Sequence, residues 1–307
     1  MDQLFNISLF ASILRVVAPI LLAALGGAIC ARVGLFNVGL EGMMLTGAFT
    51  AIVGNYYTGN IIVAVLCAIV STMIVSLLFG YMSIHLKANV IIVGISINFL
   101  ALGLTTFGLR AIFHTKGAYF DKNMVGLPKW NIPLIDQIPW VGKVLSGHSP
   151  LVYLSIVLVF TLHWFLFKTV TGFRLIAAGE NATASRSLGL RVAKLQYLAV
   201  LMCGVLCGLA GAQLSLGNVT MFSEGMTEGR GFIALVATML GQSSPFGVAG
   251  ASLLFGFMES LNFRLQGFSV PTQISAMLPY VMTLIAMLVF KDKSYLQEAR
   301  KSNDSSR

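Results

Sequence analysis

The sequence predicts an all-α polytopic membrane protein with about nine transmembrane helices, and two observations support this fold class. Of the 307 residues, 57% are apolar or aromatic and only 10% are charged, whereas a soluble domain carries about 25% charged residues. Uninterrupted apolar runs such as NIIVAVLCAIVSTMIVSLLFG at 60–80 also have the roughly 20 residues that a helix needs to cross a bilayer. A transmembrane barrel would instead show shorter segments of alternating polarity.

Nine stretches approach the length of a membrane span, and we expect between eight and ten helices. The stretches lie at about 10–30, 39–54, 60–84, 88–112, 150–168, 195–217, 231–244, 247–263 and 272–290. Two of them, 39–54 and 231–244, are short. Each of these two follows a polar, glycine-containing stretch, which predicts that two helices are interrupted.

The distribution of Lys and Arg indicates the orientation of the spans, because short cytoplasmic loops are enriched in these residues. Lys and Arg are more numerous on the side of the C terminus, which includes the segment 168–194. We therefore expect the N terminus outside the cell and the tail 295–307 in the cytoplasm. The net charge of +9 is explained by this topology and by attraction to lipid headgroups, not by nucleic acid.

An internal repeat links the two ends of the chain. LAALGGA at 22–28 matches LCGLAGA at 206–212, and the helices that follow keep the same order. We therefore expect a single transmembrane domain, 1–294, whose halves at about 10–112 and 195–290 are joined by 113–194. The halves are displaced by five spans, an odd number, so they face opposite ways, and inverted repeats are typical of transporters.

The two interruptions predict where a translocation pathway lies. GLFNVGLEG at 34–42 and GNVTMFSEGMTEGRG at 217–231 occupy matching positions in the two halves, and a broken helix at membrane depth lines a cavity or is buried in protein. Plain interfacial turns are the alternative. The polar residues that we expect near the pathway, rather than in structural hydrogen bonds alone, are Asn37, Glu41, Asn98 and Glu259. We expect Glu259 to pair with Arg264 or with a neighbouring helix.

A short polar segment, GENATASRSLGL at 179–190, interrupts the apolar pattern on the cytoplasmic side. Asn181 can cap the start of a helix and Gly189 can close its end in the left-handed conformation. Between them lie about two turns, too few for a stable isolated helix. The segment is either an ordinary loop packed on helix ends or a docking element for a soluble partner.

The sequence lacks the signatures of several other functions. The chain has no phosphate-binding G-x-x-x-x-G-K-[ST] loop, so no energy source is encoded in it. No acid, base and nucleophile occur at a recognisable spacing, so we do not expect an enzyme. The four cysteines all fall in predicted spans, so they suggest neither disulfides nor a metal site. A self-sufficient secondary transporter would need an ion site for coupling, for which the chain has few carboxylates.

Four motifs together resemble the permease subunits of bacterial ABC importers of the ribose and branched-chain amino acid group. The motifs are GLFNVGLEGMMLTGAF, TGFRLIAAGENATASRSLGL, SLGNVTMFSEGMTEGRGFIALVATMLGQSSPFG and QISAMLPYVMTLI. The resemblance covers about residues 12 to 290. Within the group, the chain is most similar to the nucleoside permeases that work with receptors of the basic-membrane-lipoprotein type.

This resemblance implies an importer in the bacterial cell membrane, without a cofactor, built from several subunits. The implied partners are a cytoplasmic ABC ATPase, a second permease that is a paralogue, and an extracellular substrate-binding lipoprotein. The segment 179–190 would be the coupling helix that enters the ATPase. The residues that the resemblance places there are Gly179, Glu180, Asn181, Ala184, Ser185, Arg186 and Gly189. The implied substrate is a nucleoside, with a purine nucleoside favoured. The alternatives are a permease for a monosaccharide such as ribose, or a self-sufficient secondary transporter.

Overall fold

The computed structural model describes residues 7–121, 124–130 and 146–265, and within these ranges the chain is mostly helical. Its helices are α1 (Ile7–Arg32), α2 (Leu40–Thr58), α3 (Ile61–Gly80), α4 (Val90–Phe113), α5 (Pro150–Lys168), α6 (Val170–Glu180), α7 (Ala182–Ser187), α8 (Val192–Ala212), α9 (Arg230–Leu240) and α10 (Pro245–Leu265). Two π-helical segments, Tyr81–His85 and Gln213–Val219, extend α3 and α8. The predicted span at 272–290 and the predicted tail at 295–307 lie outside the described residues.

Six described helical segments are long and apolar enough to cross a membrane, so the predicted number of nine is not confirmed. These segments are Leu9–Arg32, Ile61–His85, Val90–Phe113, Pro150–Lys168, Val192–Val219 and Pro245–Leu265. The two stretches predicted to be short correspond to α2, with 19 residues, and α9, with 11 residues. At 1.5 Å per residue, α9 is about 16 Å long, which is too short to cross the bilayer by itself.

Helices α1 and α8 form the centre of the bundle. In their most apolar segments, 83% and 78% of the residues are buried, compared with 22% in α3 and 28% in α4. Helix α1 packs against α8, α9 and α10, and α8 packs in addition against α2 and α3. The exposed apolar faces of α3 and α4 are suited to contact lipid or another membrane subunit, because they bury little against this chain.

Small residues allow the central helices to approach closely. The buried face of α3 repeats Ala64, Ala68, Thr72 and Ser76 at every fourth position. This face packs against the glycines of α8, where a Cβ atom added to Gly208 would lie 2.5 Å from Thr72 Oγ1 and 2.9 Å from the carbonyl oxygen of Ala68. Packing of this kind drives helix association in lipid, where burial of apolar surface contributes little. The small-residue surface around GVLCGLAG in α8 is therefore a packing surface.

The loop that follows α4 pairs with the region that follows α8. Strand β1 (Ala118–Tyr119) pairs antiparallel with β2 (Phe222–Ser223). Farther along, the backbone N–H of Leu127 donates to Leu216, at 3.0 Å. The loop is thereby attached to the chain between α8 and α9, where the second interruption was predicted.

We expect Gly208→Val to destabilise the bundle, because the added side chain overlaps α3. Overpacking of a dense core typically costs about 1–3 kcal/mol. The matched control is Gly103→Val in α4, where an added Cβ meets no atom within 4 Å. Thermal unfolding of the purified protein in detergent should show a lower melting temperature for Gly208→Val than for Gly103→Val, and equal melting temperatures would contradict close packing at α3 and α8.

Candidate functional site

The first interruption separates α1 from α2, and two asparagines satisfy the backbone there. The Oδ1 atom of Asn37 accepts a hydrogen bond from the N–H of Gly39 at 2.9 Å. The Asn98 side chain reaches across from α4: its Oδ1 accepts from the N–H of Gly42 at 2.8 Å, and its Nδ2 donates to the carbonyl of Val38 at 3.1 Å. The start of α2 is therefore held by a residue of another helix.

The second interruption ends where α9 begins, and Glu41 binds this helix start. Its Oε1 accepts from the N–H of Gly229 at 2.9 Å, and its Oε2 accepts from the N–H of Gly231 at 2.6 Å. A carboxylate is favourable there because the first N–H groups of a helix lack partners within the helix and carry partial positive charge. Glu41 itself lies in the first turn of α2, so one carboxylate joins the starts of both short helices.

Glycine is required at this junction because the two backbones nearly touch. A Cβ added to Gly231 would overlap the backbone of Glu41, and one added to Gly42 would lie 2.8 Å from Asn98 Cα. Gly229 has a φ of +83°, in the left-handed region that glycine adopts without strain. The glycines that marked both interruptions in the sequence thus allow α2, α4 and α9 to meet.

A buried ion pair holds α9 against α10. Arg230 Nε lies 2.7 Å from Glu259 Oε1, and both side chains are about nine-tenths buried. Arg230 Nη1 also donates to the carbonyl of Met226 at 3.0 Å. The prediction that Glu259 pairs with a neighbouring helix is confirmed, but sequence reasoning did not identify Arg230 as the partner. Both residues lie in largely apolar helices, and the need to neutralise charge there is the signal that could have pointed to this pair.

A cavity of 290 Å³ opens at the junction. Its polar lining comes from Glu41, Asn98, Thr227 and Glu228, and its lining also includes the aromatic rings of Phe99 and Phe232, with Gly42, Leu45, Ile95, Leu102 and Gly225. Glu41 and Asn98 were both predicted from the sequence. The other two predicted residues, Asn37 and Glu259, are only 1% and 6% exposed and do not line this cavity.

A larger cavity, of 500 Å³, lies beside the second interruption. Its lining combines Arg15 from α1, Arg230 from α9 and Arg264 from α10 with Glu228. None of the four predicted pathway residues lines it. The cavity that unites predicted residues from two different helices is the smaller one at the junction.

The polar segment at 179–190 forms the end of α6 and all of α7. Gly179 and Glu180 end α6, and Asn181 caps α7, since its Oδ1 accepts from the N–H of Ala184 at 2.9 Å. Gly189 closes α7 with a φ of +79°. The predicted cap and the predicted left-handed glycine are confirmed, whereas the short helix itself covers only Ala182–Ser187.

The seven residues predicted for ATPase coupling differ in exposure. Five of them lie on the surface: Glu180, Asn181, Ala184, Arg186 and Gly189. Ser185 is buried and donates to the carbonyl of Ala177 at 2.9 Å, and half-buried Gly179 packs against the end of α1. Beside them, the side chain of Leu188 is 82% exposed, which leaves a large apolar group uncovered at the tip of the segment.

A bundle of apolar helices with two interrupted helices that meet at a cavity has the architecture of a membrane permease. The comparison with known families agrees: the family described as the permease component of branched-chain amino acid transport systems matches residues 9–287. The chain belongs to this family. It is therefore a multi-pass membrane protein and a transport subunit rather than an enzyme, and the family implies that it works with an ATPase.

Two curated relatives are similar over nearly their whole length. The guanosine ABC transporter permease protein NupQ of Bacillus subtilis is 34% identical over 93% of this chain and 92% of the relative. The nucleoside ABC transporter permease protein NupC of Lactococcus lactis is 33% identical over 92% of this chain and 91% of the relative. Among solved structures, a protein described as a metal-chelate type ABC transporter in an inward-facing conformation has a TM-score of 0.55 and 16% identity, covering 92% of this chain and 85% of that chain.

Each of these two organisms also has a second, less similar relative with the same kind of name. In Bacillus subtilis this is NupP, which is 28% identical, and the match spans 76% of its length. In Lactococcus lactis it is NupB, which is 25% identical, and the match spans 70% of its length. In both organisms the less similar relative extends farther beyond the matched region.

We expect Glu41→Gln to weaken the junction. The amide offers one acceptor in place of two and removes the charge, so one of the N–H groups of Gly229 and Gly231 loses its partner. An unpaired buried donor costs about 1–3 kcal/mol. The control is Glu228→Gln in the second interruption, whose side chain is 71% exposed. Chemical unfolding in detergent should show the loss for Glu41→Gln alone, and similar losses in both variants would rule out a special role of Glu41.

Proposed function

We propose that this chain is the permease subunit of an ATP-driven importer that carries a nucleoside, with a purine nucleoside such as guanosine as the favoured substrate. The observation that carries the proposal is the cavity at the junction of α2, α4 and α9. The names of the two relatives described first above, a guanosine and a nucleoside permease, support the same substrate class.

The lining of this cavity suits an uncharged molecule with an aromatic ring. Phe99 and Phe232 offer ring faces, and stacking of a base on an aromatic side chain is worth about 1–3 kcal/mol. Glu41, Asn98 and Thr227 offer oxygen atoms that can accept hydrogen bonds from ribose hydroxyls or base amino groups. The volume of 290 Å³ is near the lower end of typical ligand pockets, which begin at about 300 Å³.

The four predicted pathway residues then divide into two roles. Glu41 and Asn98 line the cavity and contact the substrate. Asn37 and Glu259 stand behind it, where Asn37 shapes the first interruption and Glu259 neutralises Arg230. In this proposal all four residues act at the pathway, two of them through contacts with other residues.

The contact between the two interruptions supports the inverted repeat. In such a repeat, the interrupted helices of the two halves begin near the same point in the middle of the membrane. Helices α2 and α9 follow the matching motifs of the two halves, and their first turns meet through Glu41.

The segment around α7 is the element that couples the permease to its ATPase. Six helical residues are too few to be stable alone, and exposed Leu188 is suited to be buried by a partner. Gly179, Glu180, Asn181, Ala184, Ser185, Arg186 and Gly189 form or support this contact. The arrangement requires the segment and the C terminus to be cytoplasmic and the N terminus to be outside.

The complete importer contains further subunits. We infer that the second permease is a paralogue, because Bacillus subtilis and Lactococcus lactis each hold a pair of relatives that differ in their similarity to this chain. The substrate is delivered by an extracellular lipoprotein, and the assembly lies in the bacterial cell membrane, where the exposed faces of α3 and α4 contact lipid or the second permease.

We expect proteoliposomes that contain the complex, isolated through a tag on this chain, to take up radiolabelled guanosine only when ATP is supplied on the cytoplasmic side. Glu180→Arg should abolish uptake, because it reverses a charge at the ATPase contact, whereas Glu180→Gln should retain a large part of it. Excess unlabelled adenosine should compete for uptake and excess ribose should not.

Three results would contradict the proposal in different ways. Uptake without ATP would indicate a secondary transporter. Competition by ribose alone would indicate a sugar permease. Full uptake by Glu180→Arg, with the complex intact, would show that the segment around α7 is only a surface loop.

We also expect Phe99→Ala to raise the KM for guanosine uptake by about fivefold or more, because it removes a stacking surface worth about 1–3 kcal/mol. Phe107→Ala is a matched control: Phe99 and Phe107 lie on the same helix and are both 71% exposed, but only Phe99 lines the cavity. The same KM for both variants would place the base elsewhere.

A further inference from the structure

We propose that Arg32, together with helix α9, connects the cytoplasmic ATPase contact to the cavity, so that Arg32 acts as a positioning residue for coupled transport. The inference rests on the proposed function. It assigns a role to the last residue of α1 and to the turn between α9 and α10, and it explains what the contact of Gly179 with the end of α1 does.

Arg32 joins the end of α1 to the turn after α9. Its Nε donates to the carbonyl of Ser243 at 2.9 Å, and its Nη2 donates to the carbonyl of Gln242 at 3.0 Å. The guanidinium group also lies over the ring of Phe167 in α5, 5.6 Å from the ring centre. These contacts hold the guanidinium group between the turn after α9 and helix α5.

The turn that Arg32 binds has a backbone conformation that needs support. Gln242 and Ser243 are consecutive residues with φ values of +51° and +52°. Residues other than glycine pay a steric cost in this left-handed region. The two hydrogen bonds from Arg32 go to the carbonyl groups of these same two residues, so Arg32 stabilises the conformation that determines how α9 leads into α10.

The proposed ATPase contact rests directly on the backbone of Arg32. A Cβ added to Gly179 would overlap the carbonyl oxygen of Arg32 and would lie 3.0 Å from the backbone nitrogen of Gly34. Gly34 has a φ of +79°, so the chain turns sharply at this contact. A displacement of the segment before α7 therefore moves the end of α1 without an intervening flexible link.

Helix α9 carries this displacement to the cavity. Its C-terminal end adjoins the turn that Arg32 holds, and its N-terminal end is bound by Glu41, which lines the cavity. In between, Thr238 Oγ1 donates to the carbonyl of Ala24 at 2.9 Å, which keeps α9 on α1. Because both ends of this short helix are attached to neighbouring elements, a displacement at one end moves the whole helix as a rigid body.

The test compares Arg32→Gln and Arg32→Lys with Arg191→Gln in the complex isolated through a tag on this chain. Arg191 is also cytoplasmic in the proposed topology, but it is exposed and precedes α8. The readouts are the number of ATP molecules hydrolysed per guanosine transported and the Kd for guanosine. Coupling residues of this kind change the linkage between sites by about 2- to 30-fold.

We expect Arg32→Gln to raise the ATP consumed per guanosine within that range and to leave the Kd for guanosine unchanged. Arg32→Lys keeps the charge but has one donor nitrogen where Arg32 uses two, so we expect an intermediate ratio. Arg191→Gln should equal the wild type. A residue needed only for folding would lower hydrolysis and uptake together and leave the ratio as it was. A ratio equal to wild type in both Arg32 variants overturns the inference.

A second variant tests the other end of the contact. Gly179→Ala places a methyl group against the carbonyl of Arg32, and we expect it to change the ratio in the same way, also without a change in Kd. If Arg32→Gln does not assemble, Arg32→Lys and Gly179→Ala decide the question by the same criterion. If the proposed function itself is wrong, the result differs from all of these, because the wild-type complex would then show no ATP-dependent uptake of guanosine.

Discussion

The backbone N–H groups at the starts of α2 and α9 impose the constraint on which the arrangement around the cavity depends. Both helices begin in buried surroundings, where water cannot supply acceptors and an unpaired donor is costly. Asn98 supplies the acceptor for Gly42, and Glu41 supplies those for Gly229 and Gly231. Each acceptor comes from another helix, so neither interruption is stable unless α2, α4 and α9 are packed together.

Glycine residues allow both the close packing of the helices and the pairing of their buried N–H groups with acceptors. The carboxylate of Glu41 reaches the start of α9 only because Gly231 has no side chain. Asn98 likewise reaches the N–H group of Gly42 only because Gly42 has no side chain. The hydrogen bonds in turn fix the side chains that line the cavity. Groups held in this way are preorganised, so binding a ligand requires less ordering of the site. The stability of the bundle and the shape of the cavity therefore have the same origin.

Similar contacts connect the cavity to the surface that carries α7. One end of α9 adjoins a turn held by Arg32, and the other adjoins the cavity, so a helix too short to cross the membrane still connects the two regions. Close contact between Gly179 and the backbone of Arg32 leaves little room for the segment before α7 to move independently. A permease that is driven by a separate ATPase needs a stiff connection of this kind, because it has no energy source of its own.

The sequence by itself determined the class of protein, the two interruptions, and the capping of α7 by Asn181 and Gly189, because hydropathy, glycine content and capping are local properties of the chain. Only the tertiary structure decided which residues meet. Glu259 pairs with Arg230 on another helix, rather than with Arg264, which is closer along the chain. Arg32 binds carbonyl groups that are 210 and 211 positions away in the sequence. Asn37 proved to be buried and does not line the cavity. Contacts of this range depend on which helix faces pack against each other, and nearly uniform apolar helices carry too little periodicity to specify those faces.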